Sequence, residues 1–195
     1  SFTVIRYNSN GSLDQDFGVN GKVSTDFIND TGLSRANDMI LQPDGRIIVV
    51  GDVVDEGKAK FGIARYNSDG TLDLSFGING LVLTDLGENT SAGASTVLIQ
   101  SDQKIVVGGN IGESGYENRF GLVRYNVDGS IDTSFGNDGI ALDDETSGFS
   151  SHSVILQSDG KILAGGHFYQ LLNYYPYWDF GIVRFTSDGN LDQSF

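Results

Sequence analysis

The chain has no cysteine, two prolines and one methionine in 195 residues, and only 12 basic residues against 26 acidic ones. Without cysteine there can be no disulfide scaffold, no thiolate zinc centre and no thiol nucleophile. The net charge of −14 is a poor match for phosphate, so neither nucleic acid nor an anionic membrane is expected as a partner. No segment approaches the ~20 consecutive apolar residues of a membrane-spanning helix. No stretch carries a sustained helical period with caps either. The sequence opens at Ser1 with neither Met nor a signal-type apolar segment, so an internal or processed start is expected. What is plentiful is glycine, with 27 residues, in a chain that is 38% hydrophobic and 11% aromatic. That composition is globular rather than disordered, and the length is ample to bury a core.

The dominant positive feature is an internal repeat. Phe2-x-x-x-Arg6-Tyr7-Asn8 returns as Phe61-x-x-x-Arg65-Tyr66-Asn67, Phe120-x-x-x-Arg124-Tyr125-Asn126 and Phe180-x-x-x-Arg184-Phe185-Thr186, with arginine spacings of 59, 59 and 60. A turn signature follows each landmark, from Asn10-Gly11-Ser12-Leu13-Asp14 to Asp188-Gly189-Asn190-Leu191-Asp192. Phe-Gly closes it at Phe17-Gly18, Phe76-Gly77 and Phe135-Gly136, and the chain stops at Phe195. Counted from the Phe landmark, the repeats cover residues 1–60, 61–119 and 120–179, with the start of a fourth at 180–195.

One period contains four strand-like runs: Phe61 to Tyr66, Gly80 to Asp85, Thr96 to Gln100 and Lys104 to Val107. Ser101-Asp102-Gln103 separates the last two, where the other copies read Pro43-Asp44-Gly45 and Ser158-Asp159-Gly160. The chain is therefore expected to be all-β, built as β-propeller-like blades of four antiparallel strands, one per repeat of about 59 residues. A four-stranded sheet with two apolar faces cannot cover both alone, but stacking it on its neighbours does. A β-solenoid is the alternative, although its coils are usually much shorter. Gly108-Gly109, Gly165-Gly166 and Val50-Gly51 are expected to mark close approach or a bulge at strand ends. A little over three copies is too few for a closed ring, so a larger repeat array is expected around these residues; a dimer closing one ring is the other possibility.

The pattern Phe-Gly-Ile-Ala-Arg-Tyr-Asn-x-Asp-Gly-x-Leu-Asp-x-Ser-Phe-Gly, followed by Leu-Gln-x-Asp-Gly-Lys-Ile-Val-Val-x-Gly, resembles the delta-60 repeat. The resemblance spans essentially the whole chain. It implies propeller blades in a large bacterial protein that is secreted or exposed at the cell surface, and it brings no catalytic residues with it. The departures are Gln103 at a turn glycine, Phe185-Thr186 for Tyr-Asn, and an aromatic insert in the third copy.

The turn 67–73 is rich in oxygen ligands. An EF-hand loop aligned on Gly70 would nevertheless place Arg65 at its leading carboxylate and Phe76 at its bidentate Glu. Asx-type turns joining strands are the expected role, and no metal or cofactor is expected, calcium in some other geometry being the one ion such loops could hold. Each arginine (Arg6, Arg65, Arg124, Arg184) recurs with an aspartate (Asp14, Asp73, Asp132, Asp192), which predicts one structural Arg–Asp clamp per repeat. Active sites occur once, whereas structural devices repeat.

The singular groups are few. His152 and His167 are the only histidines, and Ser151-His152-Ser153 lies near Asp143, Asp144 and Glu145. Adjacent letters do not converge in space, because neighbours on a strand face opposite ways. No phosphate loop or dinucleotide fingerprint is present, and an enzyme is not expected. The most individual stretch is residues 167–179, His-Phe-Tyr-Gln-Leu-Leu-Asn-Tyr-Tyr-Pro-Tyr-Trp-Asp, with the only Trp and four of the eight Tyr. Read as a loop, it offers His167, Tyr169, Tyr174, Tyr175, Tyr177 and Trp178 as a contact surface for glycan or protein. Packing over a blade edge or an inter-blade groove is the structural alternative.

These features describe a structural or adhesive repeat module of a bacterial secreted or cell-surface protein. Its expected partners are a surface protein or glycan, further repeats of the same parent chain, or identical chains. A self-assembling extracellular structural protein and a carbohydrate-active propeller enzyme are the alternatives.

Overall fold

The computed structural model describes residues 1–27, 33–87, 90–113, 119–143, 149–172 and 175–195. For Glu113, Phe149, His152, residues 169–172, Tyr175 and Pro176 the description is limited to the backbone. Among the described residues there are thirteen strands and no helix. The first pair is β1 (Phe2–Ile5) and β2 (Lys22–Thr25). Two four-stranded antiparallel meanders follow. One orders β3 (Ser34–Leu41), β4 (Ile47–Asp55), β5 (Lys58–Tyr66) and β6 (Leu81–Thr84). The other orders β7 (Thr90–Ile99), β8 (Ile105–Glu113), β9 (Arg119–Tyr125) and β10 (Ile140–Leu142). The last sheet has three strands, β11 (Phe149–Leu156), β12 (Ile162–Leu172) and β13 (Tyr175–Phe185).

The chain is thus all-β, with antiparallel blades of four strands in its two central sheets. β1 and β2 occupy the places of β5 and β6, while β11, β12 and β13 occupy those of β3, β4 and β5. The sheets run out of phase with the repeat counted from its Phe landmark, because a sheet starts at Ser34 or Thr90, part-way through a period.

Alternation explains why strands such as Ile47 to Val50 read as continuous apolar runs. Ile48 and Val50 on β4, with Phe61 and Ile63 on β5, turn towards the following sheet and share a core with Val107, Val123 and Tyr125. Val49 and Val53, with Ala64 and Tyr66, turn the other way and pack on Phe2, Val4 and Phe17. Val106, Phe120 and Leu122 repeat the forward contact one sheet later, against Val154, Ile162, Val183 and Phe185. Three cores therefore lie between four stacked sheets, and each fully buried Phe or Ile contributes roughly 1.5–3 kcal/mol. The stack is open at its two ends.

The paired glycines lie within strands rather than at their ends. A Cβ on Gly51, Gly109 or Gly166 would come within 1.8, 2.0 or 1.9 Å of the carbonyl oxygen of Arg35, Gly93 or Ser150 on the neighbouring strand. Each faces a β-bulge, at Ala36/Asp38, Ala94/Thr96 and Ser151/Ser153. The bulge presses main chain against main chain, and only glycine leaves the space. Because the strands continue beyond these glycines, much of what reads as loop after them is paired backbone.

Candidate functional site

Each repeat builds the same polar clamp. The arginine ends the third strand of its sheet, and the strand-to-turn step returns the chain so that the aspartate eight residues later faces it. Arg6 Nε donates to Asp14 Oδ2 at 2.7 Å, Arg65 to Asp73 at 2.8 Å, Arg124 to Asp132 at 2.7 Å and Arg184 to Asp192 at 2.8 Å. The guanidinium carbon sits 4.4–4.5 Å over the ring of Phe17, Phe76, Phe135 or Phe195. A second cation grips three of the same carboxylates: Arg46 Nε lies 3.1 Å from Asp73 Oδ2, and Lys104 and Lys161 Nζ lie 2.9 Å from Asp132 and Asp192.

The other carboxylate oxygen is used locally. Asp132 Oδ1 accepts the Ser134 N–H at 3.1 Å and its hydroxyl at 2.7 Å, and Asp73 and Asp192 hold Ser75 and Ser194 in the same way. Burial pushes the Asp132 carboxyl up, but Lys104, Ser134 and Arg124 outweigh it and hold the group well below its ordinary range. Asp192 is depressed chiefly by Ser194 and Lys161. The Asn-Gly and Asp-Gly turns are Asx turns: Asp69 Oδ1 accepts the Thr71 N–H at 2.9 Å, and Asp128 Oδ1 the Ser130 N–H at 3.0 Å. Among the described residues no group of three His, Cys, Asp or Glu converges to hold a metal.

The arginine also reaches out of its repeat. Arg6 Nη1 donates to Ser68 O, Arg65 Nη1 to Val127 O at 2.5 Å and Arg124 Nη1 to Ser187 O at 2.9 Å, each a carbonyl in the next turn. Gly18, Gly77 and Gly136 add N–H bonds of 2.8 Å to Asp69 O, Asp128 O and Asp188 O. Tyr66 donates to Thr25 Oγ1 across one junction at 2.8 Å, and Tyr125 OH lies 2.7 Å from Thr84 Oγ1 across the next. At the third junction Phe185 replaces the tyrosine and a buried Asp143 stands where those threonines stand.

Two parts of the clamp are not in the sequence-derived pairing: the phenylalanine under each guanidinium and the second cation on three of the aspartates. Both recur with the repeat period, which is the signal that could have found them. The cross-repeat bonds end on backbone carbonyls, which carry no side-chain signature.

The aromatic insert is a strand hairpin rather than a loop. Residues 167–172 belong to β12 and 175–179 to β13, in register from Phe168↔Asp179 to Leu172↔Tyr175. Aromatic residues suit extended, half-exposed strands, and they lengthen this hairpin beyond its counterparts. Tyr174 lies outside the described residues. Tyr175 is on β13, and Tyr169 pairs with Trp178 in register. His167 is half-buried and meets the Trp178 ring edge-on at 4.7 Å. Tyr177 and Trp178 are exposed, as are Phe180 and Ile182 further along the strand. The triad-like letters do not assemble: Ser151 is buried with its hydroxyl directed to Gly165 O at 3.2 Å, Glu145 and Asp144 lie outside the described residues, and so does the His152 side chain.

A domain of unknown function (DUF5122), described as a β-propeller, matches residues 1–17, 42–76, 100–135 and 157–195. The chain belongs to this family. DUF5122 is the delta-60 repeat-like family of bacterial propeller repeats, so the resemblance stated from the sequence and the blade architecture agree. No curated protein matches the chain. The DUF5122 segments contain all four arginine–aspartate clamps and the turn carbonyls they reach, whereas most of β3, β7 and β11 falls between segments. The recognisable part of the DUF5122 repeat is therefore its junction chemistry.

Proposed function

We propose that this DUF5122 chain is a structural and adhesive repeat module of a bacterial secreted or cell-surface protein, holding protein or glycan contacts on a rigid stack of blades. The observation that carries this reading is the aromatic hairpin β12–β13, where Tyr177 and Trp178 are exposed on strands fixed by eleven consecutive register pairs. Flat aromatic rings on rigid backbone give large contact area at little entropic cost, to a sugar face or to a protein. The polar groups elsewhere are consumed in repeated clamps, a pattern that serves stability rather than turnover. The test is retention on a glycan array and on arrayed bacterial surface proteins. The Tyr177→Ala/Trp178→Ala variant is expected to lose retention with an unchanged melting temperature. Equal retention of variant and wild type would reject the hairpin as the contact surface.

A further inference from the structure

The two ends of the stack are complementary halves of the junction that the chain makes three times internally. Phe61 and Phe120 are 0% exposed because the following sheet covers them, while Phe180, at the same place in the repeat, is 95% exposed. Ile63 and Leu122 are fully buried, and Ile182 is 61% exposed. Phe17, Phe76 and Phe135 are capped by the next turn, whose glycine packs on the ring, and Phe195 is left 62% exposed. Arg184 holds Asp192 as its counterparts do, yet among the described residues its Nη1 has no turn carbonyl to reach. A cleft beside Ile182, Arg184 and Phe195 marks the place.

The opposite end presents what is missing there. The turn at residues 8–11 has the same Asx geometry as the inserted turns, with Asn10 Oδ1 accepting the Ser12 N–H at 3.0 Å. Gly70, Gly129 and Gly189 press on the preceding repeat, whereas Gly11 has open space where its Cβ would stand. The Ser9 carbonyl corresponds to those of Ser68, Val127 and Ser187, and Ile5 and Tyr7 are exposed where Ala64 and Tyr66 are buried.

We propose that the outer face of β11–β13 is a docking surface for the β1–β2 end of a second copy of this chain. Phe180 and Ile182 take Ile5 and Tyr7, the Phe195 ring takes the turn at Gly11, and Arg184 donates to the Ser9 carbonyl. A contact of this kind is heterologous, so copies add head to tail and form a ring or an open filament according to the rotation per copy. The inference deepens the reading of the chain as a contact module by naming the partner of one face; it uses Phe180, Ile182 and Arg184, not the Tyr177/Trp178 tip.

The test is sedimentation velocity on the intact chain at rising, sub-millimolar concentration, with two variants at exposed positions. Phe180→Asp/Ile182→Asp blocks one end, and Ile5→Asp/Tyr7→Asp blocks the other. Wild type is expected to associate with concentration, each variant alone to stay monomeric, and their equimolar mixture to stop at twice the monomer mass. A monomeric wild type would overturn the proposal. So would self-association of the Ile5→Asp/Tyr7→Asp variant, which means like ends pairing, or of the Phe180→Asp/Ile182→Asp variant. Array retention by a monomeric wild type would leave the contact-module reading standing while this inference falls. Head-to-tail assembly without Tyr177/Trp178-dependent retention would do the reverse.

Discussion

The forward face of the β7–β10 sheet and that of the β11–β13 sheet are the same surface in two situations. Phe120 and Leu122 are fully buried under the following sheet, and Phe180 and Ile182 stand in water. Cross-strand register, clamp geometry and the glycine facing the bulge are alike in both sheets. A blade therefore does not need its next neighbour to keep its shape, and the neighbour contributes burial and three or four cross-repeat hydrogen bonds. Local turn and clamp chemistry makes the blade; stacking makes the core.

The comparison can be broken most strongly at the phenylalanines. Phe120→Ala is expected to cost about 3–5 kcal/mol, as a large cavity in a closed core does, and Phe180→Ala less than about 0.5 kcal/mol at a dilution where copies are separate. Chemical denaturation of the two variants measures the difference. Equal losses would mean that the outer face is covered in the free chain.

Glycines sharpen the same contrast. Gly109→Ala drives a methyl into the Gly93 carbonyl, whereas Gly165 has open space at the same probe position. The first is expected to destabilise by about 2–3 kcal/mol and the second by about 1 kcal/mol or less.

The clamp adds a pH dependence. Asp73, Asp132 and Asp192 all titrate below the ordinary carboxylate value of 3.8. Folding therefore gains from their ionised forms above that value, and the gain is lost as pH falls towards their depressed native values. The melting temperature is expected to drop steeply on acidification below about pH 4, and Asp132→Asn to flatten that drop while lowering stability at neutral pH by about 2 kcal/mol. An unchanged acid profile in Asp132→Asn would remove the clamp from the account. Arg124→Met should be destabilising for the same reason.

The smallest effect concerns one turn. Gln103 has a φ of 68°, in the region that Gly45 and Gly160 occupy at 87° and 84°. Gln103→Gly is expected to raise stability by about 1 kcal/mol in thermal melts, since a side chain is disfavoured there. The same change at an extended position would lower it.

The repeat, the all-β class and the partner of each arginine were legible because all three follow the period directly. The phase of the sheets was not, because a period fixes a spacing without an origin, and the origin is set by which strands pair. Cross-repeat bonds to Ser68, Val127 and Ser187 were invisible for a different reason: a carbonyl acceptor looks the same on serine and valine. Residues 167–179 were expected as loop because their aromatic letters break the repeat. Those letters are also good strand formers, and pairing with β12 extends β13 through them.

The absence of cysteine makes the central comparison directly measurable. In separate single-cysteine variants, Ile63→Cys and Ile182→Cys, thiol labelling under native conditions at high dilution should separate the covered face from the open one. Ile182→Cys is expected to react like a free thiol and to become protected as concentration rises, while Ile63→Cys reacts only on unfolding. Equal labelling of the two at high dilution would contradict the claim that one repeated surface is closed inside the stack and open at its end.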